Sequence, residues 1–235
     1  MGRRPVLFDL FCCQGGGGAG YDRAGFRVIG VDVEPQPRYP FEFVQADAMQ
    51  VLEFMAEGGE PWEGAPYPAA IHASPPCQAF TTMSERWRGK GGVADDRADL
   101  LTPVRAILPR IGVPYVIENV QGAASAMATT LILHGGMFGL RIDRPRHFES
   151  NVLILASKAA RSADPIGVYG ERPDGQWLNK RMDGTIQRRA RSLEEAQEVM
   201  GMPWADWNGC REAIPPAYTE HIGRQLIGHL AVADA

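Results

Sequence analysis

Cys77 lies in an unusual sequence context, ASPPCQAF at residues 73–80. Proline fixes φ and has no backbone N–H, so Pro75 and Pro76 exclude a helix interior and a central strand at this point. A cysteine that only fills a core needs no such rigid segment before it, whereas a thiol that must meet a substrate atom at a set angle does. The segment therefore indicates a nucleophilic cysteine.

Glu118 is the second residue whose position suggests chemistry. It ends the apolar stretch VPYVIENV at residues 113–120, which is typical of a buried strand. A carboxyl group in a dry pocket at the end of such a strand has a raised pKa. A surface position is a poor interpretation after so apolar a strand.

A glycine-rich turn follows the first apolar run. GGGGAG reads as Gly15-x-Gly17-x-x-Gly20, the spacing of the dinucleotide fingerprint, and acidic residues follow at Asp32, Glu34 and Asp47. Glycines in such a turn let a helix N-terminus approach a pyrophosphate, and they also let an adenosyl amino acid lie against the backbone. Both ligands stay open from the spacing alone, while the carboxylates together favour a nucleoside.

The elements that position these residues alternate between strands and helices. Strands are predicted at 6–11, 26–33, 41–47, 69–74, 113–120 and 151–157, and helices at about 18–24, 48–56 and 99–111. This alternation predicts an α/β fold with a mostly parallel sheet, whose ligands bind at the carboxyl ends of the strands.

The composition changes after the last predicted strand. Residues 158–191 are polar and rich in turns, and the stretch 151–191 holds eight basic and four acidic residues in a chain of net charge −4. We therefore expect a catalytic domain at 1–157, a short insertion at 158–191, and C-terminal helices at 192–235. Two helices, separated by a Trp-containing loop, are predicted in that last segment.

Taken in order, these motifs resemble those of the C5-cytosine DNA methyltransferases, and the resemblance covers most of the chain. FDLFCCQGGGGAGYDRAGF is similar to their S-adenosylmethionine loop, PPCQAF to their catalytic motif, and FGLRIDRPRHF to their Arg-x-Arg motif. The triplet ENV at residues 118–120 matches the family's ENV triplet, and the stretches 191–202 and 212–226 resemble its closing motifs. The compact length and the residues of these last motifs are similar to those of small phage-type members. Two positions depart from the family: Ile142 replaces the usual glutamine, and Arg211-Glu212 replaces the usual Gly-Asn.

The resemblance implies a Rossmann-like fold and transfer of a methyl group from S-adenosylmethionine to C5 of a cytosine flipped out of DNA. It implies that Cys77 adds to C6, that Glu118 acts at N3, and that arginines hold O2 and a phosphate, with Arg146 the choice for O2. The implied catalytic residues are Cys77, Glu118, Arg144 and Arg146. The implied cofactor-binding residues are Phe8, Asp9, Phe11, Gly15, Gly17, Gly18, Asp32, Val33, Glu34, Asp47, Ala48 and Pro75.

The substrate would meet a further set of residues in the pocket and the insertion, which occupies the position of the family's target recognition domain. This set is Gln78, Asn119, Lys180, Arg181, Arg188 and Arg189, of which Asn119 is expected to order its loop more than to touch the base. DNA is the expected partner, and we expect a monomer in the cytoplasm of a bacterium or an infected host. The four cysteines form no Cys-x-x-Cys pair and no apolar run is long enough to span a membrane, so neither a metal nor a membrane is expected.

Other functions remain open at this stage. The same chemistry on RNA, as in tRNA cytosine methyltransferases, uses the same motifs. The 2′-hydroxyl distinguishes RNA from DNA, and no motif in the sequence indicates that it is recognised. A catalytically silent DNA-binding relative is compatible with the altered closing motif, although Cys77 and Glu118 oppose it. An NAD-dependent oxidoreductase rests on the glycine spacing alone and leaves PPCQ and ENV unexplained.

Overall fold

The computed structural model describes residues 3–76, 99–158, 160–180 and 186–233, with the backbone alone at 177–180, 186 and 233. Its main sheet has seven strands within these residues: β1 (Val6–Leu10), β2 (Arg27–Asp32), β3 (Glu42–Gln45), β4 (Ala70–Ala73), β5 (Tyr115–Val120), β6 (Leu131–Leu133) and β7 (Arg146–Ser150). Their order is β3-β2-β1-β4-β5-β7-β6. The first five strands are parallel, and β7 is antiparallel to both of its neighbours.

Helices cover both faces of this sheet. They are α1 (Gly16–Ala24), α2 (Ala48–Ala56), α3 (Leu101–Ile111), α4 (Leu193–Met200), α5 (Trp207–Glu212) and α6 (Pro216–Ala233), with 3-10 turns at Gln121–Ala126 and Gly135–Phe138. The apolar sides of α2 and α3 pack on one face, and α1 and α6 pack on the other. The mostly parallel α/β fold predicted from the sequence is confirmed.

Close contact between α1 and α6 depends on glycine. A Cβ atom at Gly20 would lie 2.0 Å from Thr219 Oγ1 and 2.1 Å from the Pro216 carbonyl oxygen. The Thr219 hydroxyl donates to the Gly17 carbonyl at 2.7 Å, which joins the two helices at this point. The last glycine of the Gly15-x-Gly17-x-x-Gly20 spacing therefore serves helix packing.

The insertion forms a second, smaller sheet of three strands among the described residues: β8 (Ile166–Gly167), β9 (Trp177–Lys180) and β10 (Ile186–Arg189). Ile166, Val168 and Ala190 form an apolar cluster with α4, α5 and Ile142. Ile142, which stands where the resemblance led us to expect a glutamine, is thus fully buried and packs against the insertion.

The strand predicted at 151–157 is wrong. Val152 and Ile154 are buried while Leu153 and Leu155 are exposed, which explains why the alternation resembles a strand. The backbone of Leu155, however, is hydrogen-bonded by the side chains of His221 and Gln225 on α6, not by a neighbouring strand. Strands β6 and β7 were missed, and the C-terminal segment has three helices where two were predicted.

None of the helices in the described ranges is both long enough and apolar enough to cross a membrane.

Candidate active site

The candidate site lies where the strand order of the main sheet reverses, between β1 and β4. In open α/β sheets this point forms a crevice outside the carboxyl ends of the strands, and ligands bind there. Phe11 follows β1, Ser74 and Pro75 follow β4, and Glu118 stands near the end of β5. Because β7 is antiparallel and its first residue pairs with Val120, Arg146 is brought to the same edge.

Glu118 is buried, with 6% of its surface exposed, and its Oε1 lies 2.8 Å from Nε of Arg146. This contact is an ion pair without an aligned hydrogen bond, since Oε1 accepts none within the described residues. Burial raises the pKa of Glu118, and the opposing effects of Arg146, a hydrogen bond from Ser74, and Arg144 do not cancel it. Burial therefore favours the protonated form of this carboxyl group relative to a carboxyl group in water.

Arg144 is buried, and both of its terminal nitrogens donate to backbone carbonyl groups. Its Nη1 donates to the Val168 carbonyl at 3.5 Å and its Nη2 donates to the Arg211 carbonyl, while its own carbonyl accepts from the Tyr218 hydroxyl at 2.9 Å. Burial and the neighbouring Arg146 charge lower its pKa to about 10. Arg144 thus ties the site to the insertion and to Arg211, one of the residues that depart from the family's closing motif.

Asn119 connects β5 to the loop that leads to Cys77. Its Nδ2 donates to the Pro75 carbonyl at 3.1 Å, and its Oδ1 accepts from the backbone N–H of Val120. Asn119 is 1% exposed, so this bridge is sheltered from water. The structure therefore gives Asn119 a role in ordering its loop. Cys77 and Gln78 lie outside the described residues.

The chain that follows β2 presents an exposed apolar side chain between two acidic residues. Val33 is 62% exposed and Glu34 is exposed next to it, while the Asp32 carboxylate accepts from the backbone N–H groups of Cys13 and Glu34. Phe11 and Cys13 have φ of 57° and 45°, conformations that residues other than glycine seldom adopt. Strain of this kind is typical of ligand sites, and Asp32 holds it in place.

Several residues expected to bind a cofactor have structural roles. Phe8 is fully buried against Trp62 in the core, and the exposed Asp47 caps α2 by accepting from Met49 N, directly before the buried Ala48. Gly15 ends the turn with φ 81°. Cofactor contacts by these residues and by the buried Gly17 and Gly18 remain predictions.

Asp9 is enclosed where α1 begins. It accepts from the Tyr39 hydroxyl at 3.0 Å and from the backbone of Gly18, and burial raises its pKa to about 7. The acid therefore fixes the start of α1 against β1. A direct cofactor contact by Asp9 also remains a prediction.

Two of the arginines expected to bind DNA are paired within the protein. Arg188 is 8% exposed and donates from both terminal nitrogens to Glu195, and Arg189 donates to Asp174 and Gln176. Only the backbone of Lys180 is described, and Arg181 lies outside the described residues. Phosphate binding by these residues stays a prediction, and for Arg188 and Arg189 it competes with existing ion pairs.

Three residues around Glu118 were missed from the sequence: Ser74, His72 and Tyr21. His72 is fully buried, its Nε2 lies 2.8 Å from Ser74 Oγ, and its Nδ1 lies 3.0 Å from the Tyr21 hydroxyl. One signal was present, because AIHAS places a polar His and a Ser on an otherwise apolar strand that ends at PPC. Within the described ranges, no three His, Cys, Asp or Glu residues form a group that could hold a metal ion.

Comparisons with known proteins agree with this architecture. No protein-family model and no curated protein matches the chain. Three solved structures match 97% of it over 99% of their own chains: a prophage-encoded E. coli protein assigned as a DNA modification methyltransferase (14% identity, TM-score 0.60), the S. pombe Dnmt2 methyltransferase (12%, 0.58) and the Entamoeba histolytica methyltransferase EhMeth (11%, 0.58). The chain thus has the Rossmann-like fold of these methyltransferases, and the resemblance inferred from the motifs is confirmed at the level of the fold.

Proposed function

We propose that this protein transfers a methyl group from S-adenosylmethionine to C5 of cytosine in DNA through a covalent bond between Cys77 and C6. The observation that carries the proposal is the buried Glu118 beside Arg146, at the edge of the sheet where Asn119 holds the loop leading to Cys77. The fold and the order of the sequence motifs support it. The role of Cys77 itself rests on its sequence context.

The residues beside β2 fit the cofactor. An adenosyl group has apolar ring faces together with hydroxyl and amine donors, and the crevice offers the exposed Val33 next to the carboxylates of Asp32 and Glu34. Phe11 is partly buried and directly follows β1, the strand that pairs with β2. When bound, S-adenosylmethionine supplies an electrophilic methyl group on a sulfonium, which C5 of the substrate receives.

The protein's own residues make C5 reactive. Addition of the Cys77 thiolate to C6 converts the ring to an enamine, in which C5 is nucleophilic. Negative charge develops at N3 during this addition, and the protonated Glu118 donates a hydrogen bond or a proton there. In this proposal Arg146, whose Nε lies 2.8 Å from Glu118 Oε1, binds O2 of the same ring. Loss of the C5 proton and expulsion of the thiolate then restore the aromatic ring.

DNA is the proposed substrate because the family resemblance and the insertion's basic excess both favour it. A protein thiol cannot reach C6 while the base is stacked in the duplex, so base flipping is part of the proposal. Once the base is flipped out, the pocket of Glu118 and Arg146 surrounds its polar edge. RNA contains the same base, so the experiment described next also includes tRNA.

Transfer of tritium-labelled methyl groups tests this function. Wild-type protein is expected to label duplex DNA, with little label on tRNA or free dCMP, and Cys77→Ala is expected to abolish labelling. Label on tRNA alone would assign the same chemistry to RNA. Binding of DNA without labelling of any of the three substrates would identify a silent DNA-binding relative and overturn the proposal.

A further inference from the structure

A chain of buried hydrogen bonds runs from the core of the protein to Glu118. The Tyr21 hydroxyl on α1 lies 3.0 Å from Nδ1 of His72, and Nε2 of His72 lies 2.8 Å from Ser74 Oγ. Ala73 of β4 pairs with Ile117 of β5, so the next residues, Ser74 and Glu118, lie side by side, and a hydrogen bond from the Ser74 side chain lowers the pKa of Glu118. Tyr21 and His72 are both fully buried, so water does not compete for these contacts.

The direction of each hydrogen bond follows from the acid end. The Ser74 hydroxyl stabilises the Glu118 carboxylate, so it donates to Glu118 and its oxygen is free to accept from His72. Nε2 of His72 must then carry the ring proton, which leaves Nδ1 to accept from the Tyr21 hydroxyl. Burial lowers the pKa of His72 to about 3, so the ring is neutral and has a single N–H near neutral pH.

Charged groups surround this chain on all the elements packed against it. Asp9 on β1 pairs with His72 across the sheet, and a side chain at Gly17 of α1 would meet both of them. Arg146 and Arg144 face Glu118 from β7 and the segment before it. The arginines and Ser74 all act on the Glu118 carboxyl group. Only Ser74, among these three residues, connects that group to the neutral ring of His72.

We propose that His72 is a positioning residue that acts through Ser74 to fix the orientation of the Glu118 carboxyl group. With one side of the carboxyl group held by a hydroxyl whose own orientation is set by His72, the acidic proton is directed toward the substrate. This inference rests on the proposed function for its consequence in catalysis, and on geometry alone for the hydrogen-bond chain.

Ser74→Ala breaks the chain with the smallest structural change, and Ser74→Thr restores the hydroxyl. Ser74→Ala is expected to lower kcat about tenfold to hundredfold, the effect of losing one hydrogen bond to a charged group, with KM for DNA little changed. Because Ser74 holds the Glu118 pKa down, its loss is expected to move the alkaline limb of the kcat profile to higher pH. Ser74→Thr is expected to recover both properties.

His72 is tested in the same way. His72→Phe removes both ring nitrogens and is expected to reproduce the Ser74→Ala effects, whereas His72→Gln keeps a donor toward Ser74 and is expected to retain most of the activity. Since His72→Phe leaves the buried Tyr21 hydroxyl without its partner, thermal unfolding checks the fold, and the Ser74 variants decide the question if this variant is unfolded. Thr129→Val is the matched control, because it removes a hydroxyl that lies 3.2 Å from another histidine, His147.

A second readout does not depend on activity. In protein labelled with carbon-13 at the glutamate carboxyl groups, the Glu118 signal, assigned by its loss in Glu118→Gln, is expected to titrate at higher pH in Ser74→Ala and in His72→Phe. If Glu118 titrates at higher pH in these variants but the wild-type protein transfers no methyl group, the hydrogen-bond chain is upheld and the proposed function is rejected. An unchanged Glu118 titration in folded Ser74→Ala, or an active Ser74→Ala with an unchanged pH profile, would overturn the chain alone.

Discussion

Two arginine–glutamate pairs, one in the candidate site and one where the insertion meets α4, hold carboxyl groups with opposite pKa shifts. In the site, burial raises the pKa of Glu118 despite Arg146 at 2.8 Å. At the insertion, hydrogen bonds from Arg188 lower the pKa of Glu195 to about 2. An arginine partner therefore does not by itself decide in which direction the pKa of a glutamate shifts.

Hydration and hydrogen-bond alignment make the difference. Glu195 is partly exposed and accepts from both terminal nitrogens of Arg188 and from the backbone of Arg191. Glu118 is buried, and its Oε1 accepts no aligned hydrogen bond among the described residues. The first arrangement stabilises the charged form of its carboxyl group, and the second favours the protonated form.

The largest expected effect is a difference in turnover between variants of Glu118 and Glu195. Glu118→Gln is expected to lower turnover by about 10²–10⁴-fold, the usual contribution of a general acid, with little loss of DNA affinity. Glu195→Gln is the matched control and is expected to leave turnover nearly unchanged in folded protein. Steady-state methyl transfer and DNA binding measure both variants. Affinity that falls in proportion to turnover in Glu118→Gln would make Glu118 a docking residue.

Replacing the arginines sharpens the same contrast. Arg146→Met is expected to lower turnover about tenfold to hundredfold through loss of a charge-assisted hydrogen bond to the base. Because the Arg146 charge lowers the Glu118 pKa, the alkaline limb of the remaining activity is expected to move to higher pH. Arg188→Met is expected to leave that limb in place. A pH–rate profile for each variant checks this, and equal shifts in both would contradict the distinction.

A smaller effect is expected on stability at the insertion. A glutamate with a lowered pKa stabilises the fold fully above its unfolded pKa of about 4.3, and this contribution is lost as pH falls toward about 2. Glu195→Gln is therefore expected to lower the free energy of unfolding by about 1 kcal/mol at pH 7, and by less at pH 3. Denaturant unfolding at pH 7, 5 and 3 measures this, with the exposed Glu198→Gln on the same helix as control. A difference that does not vary with pH would show that the ion pair is not its cause.

The smallest effect concerns DNA binding by the insertion. Two free phosphate contacts would add about 1.8 to the negative slope of log K against log salt. Because Arg188 and Arg189 already pair with Glu195 and Asp174, we expect the double change to glutamine to flatten the slope by less than about 1. Arg172→Gln, at an exposed position of the same insertion, is the comparison. Flattening by about 2 in the double variant would show that DNA displaces both ion pairs.

The sequence predicted those parts of the fold that local patterns encode. The first five strands and the first three helices follow from apolar runs, turns and helical spacing, and the positions of Glu118 and Pro75 follow from the ends of their strands. The pattern misled at 151–157, because side chains on α6, about 70 residues away along the chain, take the backbone hydrogen bonds that a neighbouring strand would supply. Local sequence does not encode such a contact.

Side-chain partnerships were the part that sequence could not supply. The basic excess of the insertion predicted free cations, yet Arg188 finds Glu195 across a turn and Arg161 reaches Asp143 outside the insertion. In the same way, nothing in AIHAS shows that His72 meets Tyr21 on α1. The number of basic residues in a segment can be counted from the sequence. Whether each arginine is free to bind a ligand depends on the side chains that surround it in the folded protein.

Covalent trapping tests the central claim most directly. DNA containing 5-fluorocytosine at the target position blocks the loss of the C5 substituent, so the bond between Cys77 and C6 is expected to persist once the methyl group has been transferred. Wild-type protein with S-adenosylmethionine is expected to form a complex with this DNA that survives denaturing gel electrophoresis, and Cys77→Ala is expected to form none. A denaturation-resistant complex that persists in Cys77→Ala would contradict the account.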